Sequence, residues 1–464
     1  MTTSEYSAIA LDLGTTSIKA GLLDQYGVLN HIVARPTPKI TVDDGRYESD
    51  ALVYAETAEL VLRKCIADAG DCKSLGLCSQ RSSFLIWEQA TGQPLTPLIS
   101  WQDNRGATSC EELRKHDEFI RILTGLPLTP YYFAPKLRAV LQDYHGWLER
   151  LRSGELRVGT LDTFLIWRWT GGRHFVTDAS MAARTLLMDI RQQQWSPQLC
   201  ELFGIPLAIL PEIKPSAGMN LKLVNGMILQ ASVGDQSAAL IASVSEEQPE
   251  ALVNLGTGCF VVRYLPDEKI PPAGYLHTLV YADRAQHAHL AIEGTLNSIA
   301  AALAPYPVDE CSVADLAADD IYCLAEPSGL GAPYFRGDIG IRYSESVEHL
   351  SQRRIAILLL EAVIFRVVRI LEEFYRERAI ERVYLSGGLS GSVCLQQGIA
   401  QCVPFEVYCL HQNESSLQGA ALLAAGMSPA SRRKSERVSI AGNASALLQK
   451  YRRWKVWIDD VLSC

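Results

Sequence analysis

The clearest indication of the fold is the segment Asp12-Leu-Gly-Thr-Thr-Ser-Ile-Lys19 near the start of the chain. An apolar run at residues 6–11 precedes it, and residues 17–23 form a second apolar run that begins within it. This pattern predicts two strands joined by a tight turn that contains a glycine. A third run at residues 28–34 follows another turn, so the chain is expected to begin as three antiparallel strands.

The same pattern begins again near the middle of the chain. Residues 251–255 form an apolar run, Gly256-Thr-Gly258 a turn, and residues 259–264 a returning strand. Two strand–Gly-Thr–strand hairpins, each opening about half of the sequence, predict a duplicated α/β architecture. A long helix is expected from about residue 352 to 378, and a last helix over 444–462.

A chain of 464 residues is too long for one compact core and suits two domains. The polar stretch Glu246-Glu-Gln-Pro-Glu250 is suited to a hinge. We therefore expect an N-terminal domain over 1–245 and a C-terminal domain over 246–430. A charged linker and the C-terminal helix would follow over 431–464.

The net charge of the chain limits the kinds of partner that it can bind. The formal net charge is −9 and the pI is about 5.6, which leaves no basic surplus for binding nucleic acid or an anionic membrane surface. No secretion signal is recognisable, and the apolar run at residues 355–360 is interrupted too soon to cross a bilayer. We expect a cytoplasmic protein that binds small molecules, and the sequence leaves its oligomeric state open, with a homo-oligomer among the options.

The first turn is suited to binding phosphate. Gly14 lets the backbone approach an anion closely, and the hydroxyls of neighbouring residues can then point at phosphate oxygens. Asp12 ends the first strand, where a carboxylate can hold Mg²⁺ with water in between. The remaining candidate phosphate contacts in this turn are Thr15, Thr16, Ser17 and Lys19. A simple hairpin turn without a ligand would have the same sequence.

Three further segments have features of a nucleotide-dependent enzyme. Asp235 lies where an apolar strand gives way to a helix of small residues, although an Asp at a helix start is also an ordinary cap. Gly256 and Thr257 form a second candidate phosphate turn. The glycine-rich segment 385–392 follows a strand and precedes a helix, so a flat adenine could lie against its backbone; it lacks the dinucleotide and Walker spacings.

The order of these segments resembles the FGGY family of carbohydrate kinases, and within it the glycerol kinases, although the chain is a divergent member. The matching motifs extend over nearly the whole sequence: Asp12-Leu-Gly-Thr-Thr16, Ser79-Gln-Arg81, Ser100-Trp-Gln-Asp103, Thr124-Gly-Leu-Pro127, Gly159-Thr-Leu-Asp162, Ala183-Arg-Thr185, Gly234-Asp-Gln236, Gly256-Thr-Gly-Cys-Phe260 and Ser386-Gly-Gly388. The resemblance implies two ribonuclease H-like domains of the actin/hexokinase/heat-shock ATPase type, with a cleft between them.

The resemblance also implies a role for each matching residue. Asp235 corresponds to the general base, Asp12 to the metal ligand, and the two Gly-Thr turns to the groups that hold Mg-ATP. The implied acceptor site consists of Arg81, Ser82, Trp101, Tyr131, Asp235, Gln236 and Phe260. The implied ATP site consists of Gly14, Thr15, Thr16, Ser17, Lys19, Gly256, Thr257, Gly387, Gly388 and Ser392.

Departures from the family pattern leave the acceptor open. Ser82 stands where glycerol kinases have a glutamate that binds glycerol hydroxyls, and the segment after Glu293 is shorter than in those enzymes. The leading hypothesis is an ATP-dependent kinase for glycerol or a close polyol. A kinase for a ketopentose of the ribulose or xylulose type is the alternative. A catalytically weakened sugar sensor or partner-binding protein is the alternative of another class.

Overall fold

The computed structural model describes residues 5–265, 272–411, 414–428, 434–440 and 444–463. The chain divides into two compact units, which confirms the predicted two-domain α/β organisation. The first unit consists of Met1–Ala242, His277–Leu290 and Glu414–Arg432, and the second of Ser243–Leu276, Ala291–Asn413 and Arg433–Cys464. The predicted domain limits at residues 245 and 430 stay predictions.

The strands up to residue 243 are β1 (Tyr6–Leu13), β2 (Ser17–Asp24), β3 (Leu29–Pro36), β4 (Thr41–Asp43), β5 (Arg46–Ser49), β6 (Ser74–Ser79), β7 (Phe84–Glu88), β8 (Leu98–Ile99), β9 (Leu156–Thr160), β10 (Val176–Asp178), β11 (Met188–Asp189), β12 (Gln194–Trp195), β13 (Glu212–Lys214), β14 (Ala217–Lys222) and β15 (Ile228–Gly234). The helices of the same part are α1 (Ala51–Ala67), α2 (Ala107–Leu113), α3 (Asp117–Thr124), α4 (Phe133–Asp143), α5 (Trp147–Arg152), α6 (Leu161–Trp169), α7 (Ala179–Ala182), α8 (Pro197–Phe203) and α9 (Asp235–Ser243).

The strands after residue 243 are β16 (Glu250–Leu255), β17 (Cys259–Leu265), β18 (Leu276–Ala282), β19 (Ala288–Leu296), β20 (Cys323–Leu324), β21 (Arg342–Tyr343), β22 (Arg382–Ser386), β23 (Glu406–Leu410) and β24 (Ser435–Arg437). The helices of this part are α10 (Ile299–Leu303), α11 (Gln352–Glu377), α12 (Val393–Cys402), α13 (Ser415–Ala425) and α14 (Ala444–Ser463).

A six-stranded sheet forms the centre of the first unit, with the strand order β14-β15-β6-β1-β2-β3. β1, β2 and β3 are antiparallel, as the sequence predicts, whereas β6 is parallel to both β1 and β15. Asp12 is paired with Cys78, and Gly234 with Ser79. The carboxyl ends of β1 and β15 therefore lie at one edge of the sheet, two strand spacings or about 10 Å apart.

Helix α13 packs against β1 and β6 although it follows them by more than three hundred residues. The helix approaches β6 closely at Gly76, which has no side chain. A Cβ added there would lie 2.2 Å from the carbonyl oxygen of Ala420. Helix α1 packs on β2 and β3, and its buried residues belong to the same apolar core as Ile9 and Leu11. Helix α13 also packs on β15, so the two helices together cover strands of the central sheet.

The second unit repeats the hairpin and its parallel neighbour. β16 and β17 are antiparallel, and β22 and β23 continue the sheet in parallel from β16. Helix α11 supplies much of the core, with seventeen buried residues between Ile355 and Phe374. The predicted long helix and the duplicated hairpin are thus confirmed.

One part of the predicted charged linker has regular structure. Ser435–Arg437 form β24 along β23, and all three residues are exposed. Arg437 is held there by an ion pair of 3.0 Å with Glu406. Residues 431–433 of that predicted linker lie outside the described residues. Within the described parts of the chain, no helix is long and apolar enough to cross a membrane.

Candidate active site

The turn between β1 and β2 is held from the inside of the first unit. The hydroxyl of Tyr54 donates a hydrogen bond of 2.7 Å to the carbonyl oxygen of Gly14, and the amide of Gln80 donates one of 3.2 Å to the same oxygen. A side chain at Gly14 would lie 2.7 Å from the carbonyl oxygen of Ser17. Glycine is therefore required for this tight turn, and Thr16 at its tip is exposed.

Asp12 lies at the end of β1, directly before the turn. Its Oδ1 is buried and has no hydrogen-bond partner among the described residues. Burial, and after it the charge of Asp235, raise the pKa of this carboxyl to about 7. A cation at this oxygen would compensate both effects. The described residues contain no cluster of three or more metal-ligating side chains, so a divalent cation held by Asp12 would need water or phosphate for its other ligands.

Asp235 follows β15 and begins α9 at the same edge of the sheet. Its Oδ1 accepts a hydrogen bond of 2.7 Å from the backbone amide of Gln236 and lies 3.7 Å from Nε of Arg81. The side chain is 30% exposed, so it is open to a ligand. Burial raises its pKa, whereas the guanidinium of Arg81 acts in the opposite direction. The result is a carboxylate that can accept a proton beside a fixed cation.

Arg81 and Gln236 are joined side chain to side chain. Nη2 of Arg81 donates a hydrogen bond to Oε1 of Gln236. Three predicted acceptor-site residues, Arg81, Asp235 and Gln236, thus form one polar cluster at the carboxyl ends of β6 and β15. This cluster can bind two or more hydroxyl groups of a small ligand.

Ser82 directly follows Arg81 in the chain, but it is buried. Its backbone has φ +62°, and only 6% of the residue is exposed. The hydroxyl donates a hydrogen bond of 2.9 Å to the carbonyl oxygen of Arg184. The Ser82 hydroxyl is therefore bound to the backbone.

Two exposed aromatic rings lie in the same unit. Trp101 is 39% exposed and Tyr131 53%, and their ring centroids are 6.5 Å apart. The indole Nε1 of Trp101 donates a hydrogen bond of 3.0 Å to Oγ1 of Thr15 in the phosphate turn. The aromatic pair and the turn are thus directly connected. Phe260, the third predicted aromatic residue, lies on β17 in the second unit, opposite Asn254.

Lys19 has an acidic partner from a distant part of the chain. Its Nζ donates a hydrogen bond of 2.6 Å to Oε2 of Glu414, and both side chains are about a quarter exposed. Glu414 directly precedes α13 and belongs to the first unit. The phosphate contact of Lys19 stays a prediction, and a phosphate bound there would compete with Glu414 for the amine.

The second Gly-Thr turn lies between β16 and β17. The amide of Gly256 donates a hydrogen bond of 2.8 Å to the carbonyl oxygen of Gly258, and the carbonyl oxygen of Thr257 accepts one of 3.1 Å from the amide of Ala300. Asn254-Leu-Gly-Thr257 repeats Asp12-Leu-Gly-Thr15, with an amide in place of the carboxylate. The second turn therefore offers hydrogen bonds but no anionic metal ligand.

The glycine-rich segment connects β22 to α12 in the second unit. Gly387 has φ +89°, and a Cβ there would lie 2.5 Å from the carbonyl oxygen of Leu255. Gly388 and Gly391 instead have no atom within 4 Å of an added Cβ, so their backbone is open to a flat ligand. Ser392 caps α12, because its hydroxyl accepts a hydrogen bond from the amide of Leu395.

Two residues without a predicted role belong to these sites. Arg184 donates a hydrogen bond of 2.8 Å to Oγ1 of Thr278, and its charge lowers the pKa of Asp235. Asn254 places its Oδ1 within 3.5 Å of an added Cβ at Gly256 and 2.7 Å of one at Gly387. In the sequence, Asn254 is marked by the repeat of Leu-Gly-Thr that follows it, as it follows Asp12. Arg184 is marked by its place in the family motif Ala183-Arg-Thr185.

Comparisons with known proteins show which family this chain belongs to by its sequence. Residues 7–239 match the N-terminal domain of the FGGY family of carbohydrate kinases, and residues 251–427 match its C-terminal domain. A glycerol kinase of Alkalilimnicola ehrlichii is 32% identical over 443 residues, which is 90% of this chain and 89% of that protein.

Solved structures extend the similarity to the fold. The crystal structure of Plasmodium falciparum glycerol kinase with ADP has a TM-score of 0.86 at 22% identity and covers 98% of both chains. A ligand-bound xylulose kinase of Lactobacillus acidophilus has a TM-score of 0.82 at 20% identity, also over 98% of both chains. At these identities the likeness shows the fold alone.

Proposed function

The chain belongs to the FGGY family of carbohydrate kinases, and we propose that within this family it phosphorylates a primary hydroxyl of glycerol or a closely related polyol. That it is an ATP-dependent sugar or polyol kinase follows from the family. The choice of acceptor is supported by the glycerol kinases among its relatives and by the residues of the first unit.

The observation that supports this function most strongly is the contact of Asp235 with Arg81 and Gln236. In the proposed reaction, Arg81 and Gln236 bind acceptor hydroxyls, and Asp235 accepts the proton of the hydroxyl that attacks the γ-phosphorus. The bond from that phosphorus to the bridging oxygen breaks, and ADP leaves with the bond electrons. The raised pKa of Asp235 favours its role as a base, because a base is most effective when its pKa is close to the working pH.

The first turn would bind the phosphates of ATP. Its candidate contacts are the backbone near Gly14 and the side chains of Thr15, Thr16, Ser17 and Lys19. Asp12 is the proposed ligand for Mg²⁺, and the orphaned buried Oδ1 is what supports it. When bound, the metal ion would neutralise charge on the phosphate oxygens.

The second unit would supply the remaining nucleotide contacts. Gly256 and Thr257 are proposed to bind phosphate, and the open backbone of Gly388 next to Gly387 supports an adenosine contact. The Ser392 hydroxyl already accepts a hydrogen bond from the amide of Leu395, so its proposed contact with adenosine is one in which it donates its proton. Phe260 is proposed to contact the carbon skeleton of the acceptor.

A ketopentose of the xylulose or ribulose type is the second candidate acceptor. It is favoured by Ser82, whose short side chain is buried and bound to the backbone, so that no carboxylate at this position binds a three-carbon polyol. A longer acceptor would have additional hydroxyls to compensate for this loss.

The test is the conversion of ATP to ADP with purified protein, Mg²⁺ and a panel of glycerol, erythritol, xylulose, ribulose and gluconate. Stimulation by glycerol or erythritol above the other compounds supports the proposal. Selective stimulation by a ketopentose supports the alternative. No stimulation by any compound, with ATP bound normally, would indicate a protein of the sensor class.

A further inference from the structure

The amine of Lys136 lies entirely inside the first unit. The residue is 0% exposed, and Nζ donates hydrogen bonds of 2.9 Å to the carbonyl oxygen of Ser82 and 2.8 Å to that of Ser100. Nζ also lies over the ring of Phe84, 5.9 Å from the ring centroid. One buried amine thus joins two separate loops of the chain.

This position is unfavourable for a cation. None of the ion pairs among the described residues includes Lys136, and the nearest carboxylate, Asp103, is already bound by Arg105. Lys136 also lies in the first turns of α4, where the helix dipole opposes a positive charge. Burial accordingly lowers its pKa to about 7. The stability of the fold alone would favour an apolar side chain here.

The two carbonyl groups belong to segments that carry the proposed acceptor site. Ser82 directly follows Arg81, and Ser100 directly precedes Trp101. Lys136 itself is five residues after Tyr131, on the helix that this tyrosine leads into. Its amine is therefore the point at which three acceptor-site segments meet.

Other hydrogen bonds also hold these segments, but none of those named here joins all three. The amide of Ala134 donates a hydrogen bond of 3.0 Å to the carbonyl oxygen of Thr185, and the amide of Trp101 donates one of 2.9 Å to Oγ of Ser83. These contacts would keep the loops near each other without the amine. They do not fix the direction of the backbone at Ser82, which has φ +62°.

We propose that Lys136 is a positioning residue of the acceptor site, which holds Arg81 and Trp101 in a fixed relation to Tyr131 through two backbone carbonyl groups. The inference rests on the proposed acceptor site. Lys136 does not contact the acceptor, and it acts only through the segments that do.

The test compares Lys136→Met with Leu137→Ala, using the acceptor of the panel that the wild-type enzyme phosphorylates fastest. Methionine keeps the length of the side chain but donates no hydrogen bond. Leu137 is also 0% exposed on α4, and its truncation removes core packing without removing either carbonyl contact. We expect Lys136→Met to raise the acceptor KM at least about tenfold and the ATP KM by a smaller factor, which Trp101 transmits through its hydrogen bond to Thr15. Leu137→Ala should lower the Tm and leave both KM values within about twofold.

An acceptor KM of Lys136→Met equal to that of Leu137→Ala would overturn the inference and leave the proposed function intact. A wild-type enzyme that phosphorylates none of the panel would instead contradict the proposed function and, with it, this inference.

A second measurement applies if Lys136→Met does not fold. Hydrogen exchange of the wild-type enzyme is followed with and without the same saturating acceptor, in peptides that cover residues 81–83, 100–102 and 133–137. We expect exchange to slow in all three together. Slower exchange in the two loops with no change at the start of α4 would overturn the inference.

Discussion

Trp101 donates a hydrogen bond of 3.0 Å from its indole Nε1 to Oγ1 of Thr15. The first of these residues belongs to the proposed acceptor site and the second to the proposed phosphate turn. The bond therefore connects the two proposed sites through a single side-chain contact within the first unit.

Trp101→Phe should weaken the binding of both substrates, because it keeps an aromatic ring but leaves Thr15 without this donor. A neutral hydrogen bond contributes about 0.5–1.5 kcal/mol, which corresponds to roughly a two- to tenfold rise in KM. Steady-state kinetics with each substrate varied would measure it. Tyr131→Phe is the control and should change only the acceptor KM; an unchanged ATP KM in Trp101→Phe would show that the contact does not position Thr15.

Asp12 should make the stability of the metal-free protein depend on pH. Its folded pKa of about 7 exceeds the ordinary value of 3.8, so its proton contributes stability that is present below about pH 4 and is lost as the pH rises through 7. Asp12→Asn cannot lose this contribution. The Tm of the variant should therefore rise relative to wild type between pH 4.5 and pH 8, by at least about 3 °C.

The same two proteins can be compared with and without Mg²⁺. Added Mg²⁺ should raise the Tm of the wild type at pH 8 and not that of Asp12→Asn, because only the ionised carboxylate attracts the cation. Asp178, whose pKa burial also raises to about 7, is the same in both proteins and cancels in the difference. A difference in Tm that is independent of pH would contradict the assignment.

Arg81→Met should move the acidic limb of the kcat profile to higher pH. The guanidinium lies 3.7 Å from Oδ1 of Asp235 and lowers the pKa of that carboxyl, so its removal leaves the raising effect of burial less opposed. The measurement is kcat against pH at saturating acceptor. Arg114→Gln, at an exposed position in the same unit, should leave the limb in place. A limb that does not move, or moves to lower pH, would contradict a base role for Asp235 beside Arg81.

Ser82→Glu should improve kcat/KM for glycerol and lower it for a ketopentose. It restores the carboxylate that the glycerol kinase pattern has at this position, and a hydrogen bond to a charged group is worth about 1.5–3 kcal/mol, or roughly one to two decades. Ser82→Ala is the matched control, since it removes only the bond to the carbonyl oxygen of Arg184. An unchanged ratio between the two acceptors would mean that Ser82 does not determine specificity.

The local parts of the fold could be predicted from the sequence. The turn at Gly14 follows from a glycine between two apolar runs, and α11 follows from a long run of helical periodicity that ends within a residue of the predicted position. The assignment of Arg81, Trp101 and Asp235 to one unit depended on the resemblance to the family, because these residues are far apart in the chain.

Contacts between distant segments could not be predicted. Lys19 meets Glu414 across 395 residues, and the amine of Lys136 meets two carbonyl groups that no side-chain pattern marks. Both depend on where the chain topology places α13 and α4. The short strand β24 was missed for a related reason, since three charged or polar residues become a strand only because β23 offers an edge.

The proposed role of Asp235 as the general base predicts the kcat of Asp235→Asn with the preferred acceptor. The amide keeps the shape of the side chain but cannot accept the hydroxyl proton, and general-base catalysis contributes about 10²–10⁴-fold. We predict a fall in kcat of that size, with the Kd for ATP and the Tm close to those of the wild type. A variant that keeps a kcat near the wild-type value would contradict the role of Asp235 as the general base.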